Sequence, residues 1–236
     1  MSVLSRLFHK SYPLDYSEFT DWHSHILPDV DDGVSTLDES IAILSRLEQL
    51  GVKKVWLTPH IMEDIPNTTD GLRERFKMLQ SKFRGSIRLR LASENMIDAL
   101  FAERLKAGDL LPIGENADML LVETSYFNAP VNLMDTFERI KSIGLYPVIA
   151  HPERYNYVDD MDKYSEWKDA GVKFQLNILS LTGLYGSIAK KKAINLLRND
   201  MYDFAGSDIH RETHINYLGE LRVTHSLANH LSRLIS

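Results

Sequence analysis

Helical stretches alternate with short apolar runs along most of the chain, and a glycine often separates the two. Residues 41–50 have apolar side chains at helical spacing, end at Gly51 and precede the apolar run 52–57. Gly144 closes a second helical stretch in the same way, before the apolar run 146–150. Glycine readily adopts the left-handed backbone conformation that ends many helices. The pattern therefore predicts repeated helix-strand units.

The predicted strands are short, mostly apolar and separated by helical stretches. A capping box, in which Thr36 precedes Glu39 by three residues, predicts the start of the first helix. Strands that alternate with helices predict a parallel sheet, and seven of them without a long break predict a closed or nearly closed α/β barrel. The seven segments are 19–22, 52–57, 87–92, 119–122, 146–150, 172–176 and 202–205.

The length of 236 residues fits one barrel domain, which we expect over residues 18–236 after an N-terminal extension of residues 1–17. Residues 3–8 of that extension could form a small amphipathic helix that packs on the domain or contacts a membrane surface.

The chain has no cysteine, which excludes disulfides and thiolate ligands and favours a reducing, cytoplasmic location. A net charge of -6 argues against nucleic-acid binding, and we expect no transmembrane segment.

Metal-ligand residue types follow most of the predicted strands. His23 and His25 lie two residues apart, so the pleat of a strand would send both rings to the same face. Parallel barrels build their sites at the C-terminal ends of the strands, where residues far apart in sequence meet. Glu94 and Glu123 end very apolar runs, and a buried carboxylate needs a cation. Imidazoles with several carboxylates favour manganese, iron or zinc.

Each of these residues also has a simpler interpretation. A His-x-His pair occurs by chance, so His23 and His25 alone could be a hydrogen-bonded pair. Asp31, beside Asp32, could be only a turn residue. The histidines outside the strand ends lie in helical or terminal segments, and we expect them to be solvated and not to bind metal: His9, His214, His225 and His230.

Arg154 follows the fifth predicted strand and has two possible roles. It could form a surface ion pair with Glu153 or a neighbour, or bind a phosphate beside the metals, and its position favours the second role. Tyr126, Phe127 and Tyr155 could pack as ordinary residues or wall an aromatic substrate. Glycine-rich phosphate loops and the G-x-S-x-G nucleophile motif do not occur in the sequence.

Three motifs resemble the polymerase and histidinol phosphatase (PHP) superfamily, and more closely its branch of bacterial capsule-associated protein tyrosine phosphatases. They are Asp21-Trp22-His23-Ser24-His25 with Asp31-Asp32-Gly33, His151-Pro152-Glu153-Arg154-Tyr155, and Ser207-Asp208-Ile209-His210. The resemblance implies a distorted seven-stranded barrel of the PHP type with three metal ions, usually Mn²⁺, with Fe, Zn, Co or Mg as alternatives. It implies these metal ligands: His23, His25, Asp32, His60, Glu94, Glu123, His151, Asp208 and His210.

By the same resemblance, Glu94 would bridge ions, and Arg154 would bind the phosphate and stabilise charge in the transition state. Asp208 or a metal-held water could supply a proton to the leaving group. Family members often carry a further catalytic arginine several residues beyond the Asp-x-His motif, whereas in this sequence Arg211 follows His210 directly. The implied activity is hydrolysis of phosphotyrosine on a protein, and the implied substrate is the tail of a bacterial tyrosine autokinase that controls exopolysaccharide export. The alternatives are a small-molecule phosphoesterase such as histidinol phosphatase, or a non-catalytic protein that docks on a kinase.

Overall fold

The computed structural model describes residues 10–235, which form a mixed α/β fold. The helices are α1 Leu37–Leu50, α2 Thr69–Lys82, α3 Ala99–Ala107, α4 Leu133–Ser142, α5 Met161–Asp169, α6 Gly186–Arg198, α7 Glu212–Glu220 and α8 His225–Ile235. Two short 3-10 helices cover Pro152–Arg154 and Ile178–Thr182. The strands are β1 Ser11–Pro13, β2 Thr20–Asp21, β3 Lys54–Leu57, β4 His60–Ile61, β5 Arg88–Leu91, β6 Glu94–Met96, β7 Met119–Glu123, β8 Tyr146–Ala150, β9 Lys173–Asn177, β10 Phe204–Gly206 and β11 Arg222–Thr224.

A curled parallel sheet organises the fold. Six strands pair in the order β10-β9-β8-β7-β6-β4, three more pair in the order β2-β3-β5, and every pairing within the two sets is parallel. Pairing between the segments after β2 and around β10 also joins the two sets: Trp22 N donates to Ala205 O at 3.2 Å, and Ser24 forms a parallel bridge with Ile209. All these strands therefore run in one direction, and their C-terminal ends lie on one side of the molecule.

Each of the seven predicted strand segments overlaps a strand of the structure, but the count of seven is not confirmed. The described chain has four further short strands, of which β4 and β6 lie just beyond β3 and β5. Pro59 has no backbone N–H to continue the ladder between β3 and β4, which accounts for one of these breaks. Sequence periodicity did not predict β4 and β6, because each has only two or three residues and begins with a polar residue of the cavity.

The two faces of the sheet bury different apolar clusters. Leu121 and Val148 are paired in β7 and β8 and belong to a smaller cluster, whereas Val122 and Ile149, the next pair, belong to the main core under the helices. Glu123 follows Leu121 by two residues, so its side chain points to the face of the smaller cluster. The strand alternation thus supports a core on one face and positions a carboxylate on the other.

The first helix begins and ends as its sequence predicts. Thr36 Oγ1 accepts a hydrogen bond from Glu39 N at 3.2 Å, and Gly51 ends the helix with a φ of 104°. The helix buries Ile43, Leu44 and Leu47 completely against the main core. Burial of such a stripe stabilises a helix by about 1.5–3 kcal/mol for each large side chain.

Part of the predicted N-terminal extension contacts the rest of the chain. The strand β1 pairs with β11 in an antiparallel two-stranded sheet, and the buried Tyr16 donates a hydrogen bond from its hydroxyl to Leu218 O at 3.0 Å. The predicted helix over residues 3–8 lies outside the described residues. Within the described part of the chain, every helix is too short or too polar to cross a membrane.

Candidate metal centre

The ends of the parallel strands bring the predicted ligands together in one cavity. His23 and His25 follow β2, Glu123 ends β7, His151 follows β8 and Asp208 follows β10. Their side chains are almost completely buried, as are those of Glu94 and His60, which begin β6 and β4. Three groups have donor atoms within 4.8 Å of one another: His25 with Asp32, His60 and His210; His23 with His25 and Glu94; and His60 with Glu94 and Glu123. These groups share members, so the arrangement suits neighbouring ions held by common ligands.

Hydrogen bonds fix the orientation of three of the histidines. The Nδ1 atom of His23 lies 2.9 Å from Gln175 Oε1, and the Nδ1 atom of His25 lies 2.8 Å from Asp31 Oδ2. The Nδ1 atom of His210 lies 2.9 Å from the backbone oxygen of Asp208. When Nδ1 donates to such an acceptor, the free lone pair of Nε2 is left to bind a metal.

Several buried polar atoms of the cavity have no hydrogen-bond partner in the described chain. They include His60 Nδ1, Glu94 Oε2 and Glu123 Oε1. These atoms converge, since His60 Nδ1 lies 3.1 Å from Glu94 Oε2 and 3.1 Å from Glu123 Oε1. Buried polar atoms without partners are costly, and a divalent cation among them would remove that cost. The donor set, which consists of imidazole nitrogens and carboxylate oxygens, therefore fits divalent metal ions.

The electrostatics of the cluster keep the Glu94 carboxylate ionised. Burial opposes the charge of Glu94, but His23 and His60 outweigh burial and hold the pKa of Glu94 well below its usual range. Burial likewise disfavours the charged form of His23, yet Glu94 and Asp208 raise the pKa of His23 to about 9. The carboxylates thus need positive charge close by, which bound cations would supply when the histidines are neutral ligands.

The backbone is unusual at two of the predicted ligands. His151 and Asp208 have left-handed conformations, with φ of 34° and 52°. Residues other than glycine rarely adopt this region, and such strain concentrates at functional sites. Gly206 shows a close approach, because a Cβ atom there would lie 2.5 Å from the Cβ of His23. The chain therefore tolerates local strain and tight packing to direct its ligands inward.

Asp31 contributes to the site in a way that the sequence left open. Its Oδ1 accepts from Gly33 N at 3.0 Å, which agrees with the turn interpretation. Its Oδ2, however, contacts His25 Nδ1 and accepts from the backbone N of His60 at 3.0 Å. Asp31 therefore orients ligand candidates on two different segments. The pair of adjacent acids after the His-x-His motif was the available signal, although it could not show which acid faces the ring.

Arg154 lines the cavity and is held by an acid and two aromatic rings. Its Nη1 donates to Asp208 Oδ2 at 2.8 Å, and its guanidinium carbon lies 4.5 Å from the ring centre of Tyr126 and 4.0 Å from that of Tyr185. The alternative of a surface pair with Glu153 is wrong. Glu153 is buried and instead accepts hydrogen bonds from Ser180 Oγ at 2.8 Å and from other donors of the core. No sequence motif indicated a role for Tyr185, which lies far along the chain from Arg154.

Other residues differ from their predicted environments. Tyr155 is fully buried and donates its hydroxyl hydrogen to Ala150 O at 2.9 Å, so it cannot wall a substrate. His214 is 8% exposed and its Nδ1 accepts from His210 N at 3.3 Å, so the expectation that it is solvated is wrong. Helix α7 turns this histidine toward the cavity instead of toward solvent. His225 is exposed and His230 is half-buried, and the expectation for His9 lies outside the described residues.

The cavity has a volume of about 480 Å³ and is open to solvent. Asp32, His60, Glu94, Glu123, His151, Asp208 and His210 line it together with Arg154 and Arg211. Arg211 is exposed and precedes helix α7, so it stands at the edge of the cavity. The structure thus places all the predicted site residues in or directly behind a single cavity.

The chain was compared with known proteins and structures. Residues 19–217 match the family described as capsular polysaccharide synthesis, CpsB/CapC. The chain is 29% identical to a putative tyrosine-protein phosphatase CapC of Staphylococcus aureus over 199 residues, which cover 82% of this chain and 77% of the relative. It is 26% identical to the tyrosine-protein phosphatase YwqE of Bacillus subtilis over 195 residues, which cover 80% of this chain and 76% of the relative.

Solved structures show the same fold. A chain from the crystal structures of YwqE from Bacillus subtilis and CpsB from Streptococcus pneumoniae, described as unique metal-dependent tyrosine phosphatases, matches with a TM-score of 0.75. That match has 24% identity and covers 84% of each chain. A lactonase from Listeria monocytogenes matches with a TM-score of 0.54 and 13% identity over 90% of this chain and 84% of the other, a likeness of fold alone. The family match spans most of the sequence, and the chain therefore belongs to the capsular polysaccharide synthesis CpsB/CapC family.

Proposed function

We propose that this protein is a metal-dependent protein tyrosine phosphatase, a phosphoric monoester hydrolase that acts on phosphotyrosine in proteins. The observation that carries the proposal is the position of Arg154 beside three overlapping groups of metal-ligand atoms in one open cavity. A phosphate ester needs positive charge around its oxygens, and this cavity combines a guanidinium with sites for cations. Relatives named tyrosine-protein phosphatases, and a matching structure described as metal-dependent, support the same activity.

The three groups of donor atoms support a centre of three divalent ions. We assign its ligands as His23, His25, Asp32, His60, Glu94, Glu123, His151, Asp208 and His210, with Glu94 shared between ions. Mn²⁺ is the proposed metal, and Fe, Zn, Co or Mg are the alternatives, because imidazole and carboxylate ligands suit all of them to different degrees. Ions bound there would supply positive charge to the phosphoryl oxygens and activate water as the nucleophile.

The residues of the chain itself bind and orient the phosphate. Arg154 presents its fork of N–H donors to the cavity, and cation-π contacts with the rings of Tyr126 and Tyr185 hold that fork in place. A preorganised charge of this kind stabilises the charge that develops in the transition state at little reorganisation cost. Arg211, at the edge of the cavity, is positioned to attract the anionic substrate.

Asp208 acts in this proposal as a ligand and as an anchor of Arg154, and less well as a proton donor. Burial opposes its charge, but His210, His23 and Arg154 outweigh burial and hold the pKa of Asp208 well below its usual range. A carboxylate with so low a pKa carries no proton at neutral pH. Tyrosinate is a good leaving group, so its departure makes little demand on a general acid.

We further propose that the curled sheet closes into a distorted barrel of the PHP type, as one domain from residue 18 onward. Support comes from backbone hydrogen bonds between the segments after β2 and after β10, in which His25 N donates to Ile209 O at 2.9 Å and Asp208 N donates to His23 O at 2.7 Å. The family match over residues 19–217 supports the domain boundary.

The proposed substrate is the tail of a bacterial tyrosine kinase that regulates capsule or exopolysaccharide synthesis. The cytoplasmic location stays a prediction.

The test is hydrolysis by the Mn²⁺-loaded protein of three substrates: a phosphotyrosyl peptide, the matching phosphoseryl peptide and histidinol phosphate. The proposal predicts the highest kcat/KM for phosphotyrosine, because the phenolate leaves readily and its ring can contact the aromatic residues at the cavity. A preference for histidinol phosphate would favour the small-molecule phosphoesterase. Failure to hydrolyse any of the three would favour a docking protein that keeps metals only for structure.

A further inference from the structure

A second cavity of about 380 Å³ opens beside the metal centre. We call it the side groove; its apolar and aromatic lining comes from Tyr126, Phe127, Tyr185, Ile188 and Ala189, and Arg154, Asn156, Gly186 and Ser187 complete it. Tyr126, Arg154 and Tyr185 also line the metal cavity, so the stack of two rings around the guanidinium forms the wall between the two cavities. Any group that leaves the metal cavity across this wall enters the side groove.

The side groove differs from the metal cavity in its chemistry. Phe127 is 72% exposed and Ile188 is 64% exposed, although large apolar side chains are usually covered. Phe127 comes from the loop after β7, and Ile188 from the first turn of α6, so two separate segments present apolar groups to one groove. Exposed apolar surface that is continuous with a polar catalytic cavity is typical of a binding site for an amphipathic partner.

We infer that the side groove binds an apolar side chain of the substrate peptide, close to the phosphotyrosine in sequence. The inference rests on the proposed function, because a phosphate held at the metals and Arg154 fixes where the peptide must cross the wall. An extended peptide advances about 3.3 Å per residue, so a residue within about three positions of the phosphotyrosine reaches across a wall one side chain thick. The occupant is therefore a leucine-like or isoleucine-like residue of the substrate, which neither metals nor Arg154 can select.

The experiment uses the full chain loaded with Mn²⁺ and pairs of phosphotyrosyl peptides that differ only by Leu or Ser at one flanking position, scanned over three positions on each side. Turnover gives kcat/KM for each peptide. Non-hydrolysable phosphonate versions of the same peptides give Kd, which tests the groove even if the protein turns out not to be a phosphatase. We expect a preference of about tenfold for Leu at one flank, since burial of one such side chain is worth a tenfold step in affinity or more.

Two substitutions in the groove are compared with matched controls. Phe127→Ser is paired with Val131→Ser, a residue of the same loop that is 98% exposed, and Ile188→Ser is paired with Ile143→Ser, which is 48% exposed. Val131 and Ile143 do not line either cavity among the described residues. The groove variants should reduce the preference for Leu to about twofold or less, and the controls should keep it.

Three results would overturn the inference. One is a wild-type protein that shows no flank preference in either kcat/KM or Kd. Another is a preference that survives equally in Phe127→Ser, Ile188→Ser and the controls. A third is a fall in kcat/KM of the groove variants that is equal for both peptides of a pair and for free phosphotyrosine. That result would place the phenyl ring itself in the groove. If the wild-type protein shows no turnover but binds the phosphonate peptide with Leu more tightly than the one with Ser, the proposed function is contradicted and the groove assignment is supported.

Discussion

At the residue scale, Arg154 has contacts that distinguish it from a surface arginine such as Arg73. It donates to Asp208 and lies over the rings of Tyr126 and Tyr185, whereas the contacts of Arg73 are with Asp70 and Thr69 of its own helix α2. Arginine is suited to this position because its planar fork can stack on rings and bind phosphate oxygens at the same time. Lysine has the charge but neither the plane nor the fork.

We predict that Arg154→Ala reduces kcat/KM for an aryl phosphate by roughly a hundredfold, as removal of one preorganised charge does elsewhere. Arg154→Lys should recover only part of the loss, and Arg73→Ala should behave as the wild-type protein does. The measurement is steady-state kinetics with Mn²⁺, together with metal content and thermal unfolding to show that the variants are folded. Wild-type kinetics in a folded Arg154→Ala protein would remove Arg154 from the mechanism.

Asp31 offers a second test at a single residue. We predict that Asp31→Ala weakens Mn²⁺ binding by about 10-fold to 100-fold, because the carboxylate orients His25 and holds the backbone of His60. Asp31→Asn should weaken Mn²⁺ binding less than Asp31→Ala does, since the amide oxygen of Asn can still accept one hydrogen bond. Titration calorimetry of the metal-free variants gives the affinities, with Asp70→Ala on the surface of α2 as the control. Unchanged affinity in Asp31→Ala would return Asp31 to the simple turn interpretation.

The predictability of the site differs between its parts. His23, His25, His151 and His210 were recognisable from short motifs at strand ends, where a regular β pattern meets polar residues. Tyr185 and the inward position of His214 were not, because each depends on how a helix end packs over the cavity. Local sequence patterns predict strand ends and helix caps, but they do not predict contacts between distant segments, which form only when the fold brings those segments together.

At the element scale, the short 3-10 helix Pro152–Arg154 positions Arg154 through its neighbour Glu153. The Glu153 carboxylate accepts hydrogen bonds from Asn177 N at 3.0 Å, Ser180 Oγ at 2.8 Å and Tyr202 hydroxyl at 3.0 Å. These donors belong to the end of β9, to the second 3-10 helix and to the residues before β10. One buried side chain therefore ties the helix that carries Arg154 to three other segments.

We predict that Glu153→Ala lowers the free energy of unfolding by about 2–4 kcal/mol, because three buried donors lose their acceptor. Glu166→Ala on the exposed face of α5 should change stability by less than about 0.5 kcal/mol. Urea denaturation of the metal-free wild-type protein and of both metal-free variants measures the free energy of unfolding without a contribution from bound ions. A Glu153→Ala protein as stable as the Glu166→Ala protein would mean that this network does not hold the element in place.

Strand and helix positions were largely predictable, whereas the continuity of the sheet was not. The apolar runs located the long strands such as β7 and β8, which are buried on both faces. The strands β4 and β6 were missed because they begin at His60 and Glu94, where polar groups serve the site and interrupt the apolar pattern. The pairing of β1 with β11 joins residues from opposite ends of the sequence, which no local pattern records.

At the scale of the whole molecule, the candidate metal centre connects segments from nearly the full length of the chain, from His23 to His210. Most of its carboxylates and imidazoles are buried and would lack partners in the absence of cations, so the stability of the fold and the occupancy of the site are linked. Ligands that bind only the folded state stabilise it, by about 2.7 kcal/mol for each site when the free ion is at a hundred times its Kd. Removal of the ions should therefore affect both turnover and unfolding.

We predict that exhaustive chelation abolishes hydrolysis of an aryl phosphate and lowers the Tm by about 5 °C or more, since a protein of this size shifts by about 2–4 °C for each kcal/mol. Addition of Mn²⁺ should restore both properties. His210→Ala should lose metal and turnover, because His210 belongs to the group formed with His25, Asp32 and His60. His230→Ala, which removes a histidine paired with Asp200, should retain both. Full turnover after chelation, with metal removal verified by elemental analysis, would show that hydrolysis does not depend on metal ions bound by the cluster.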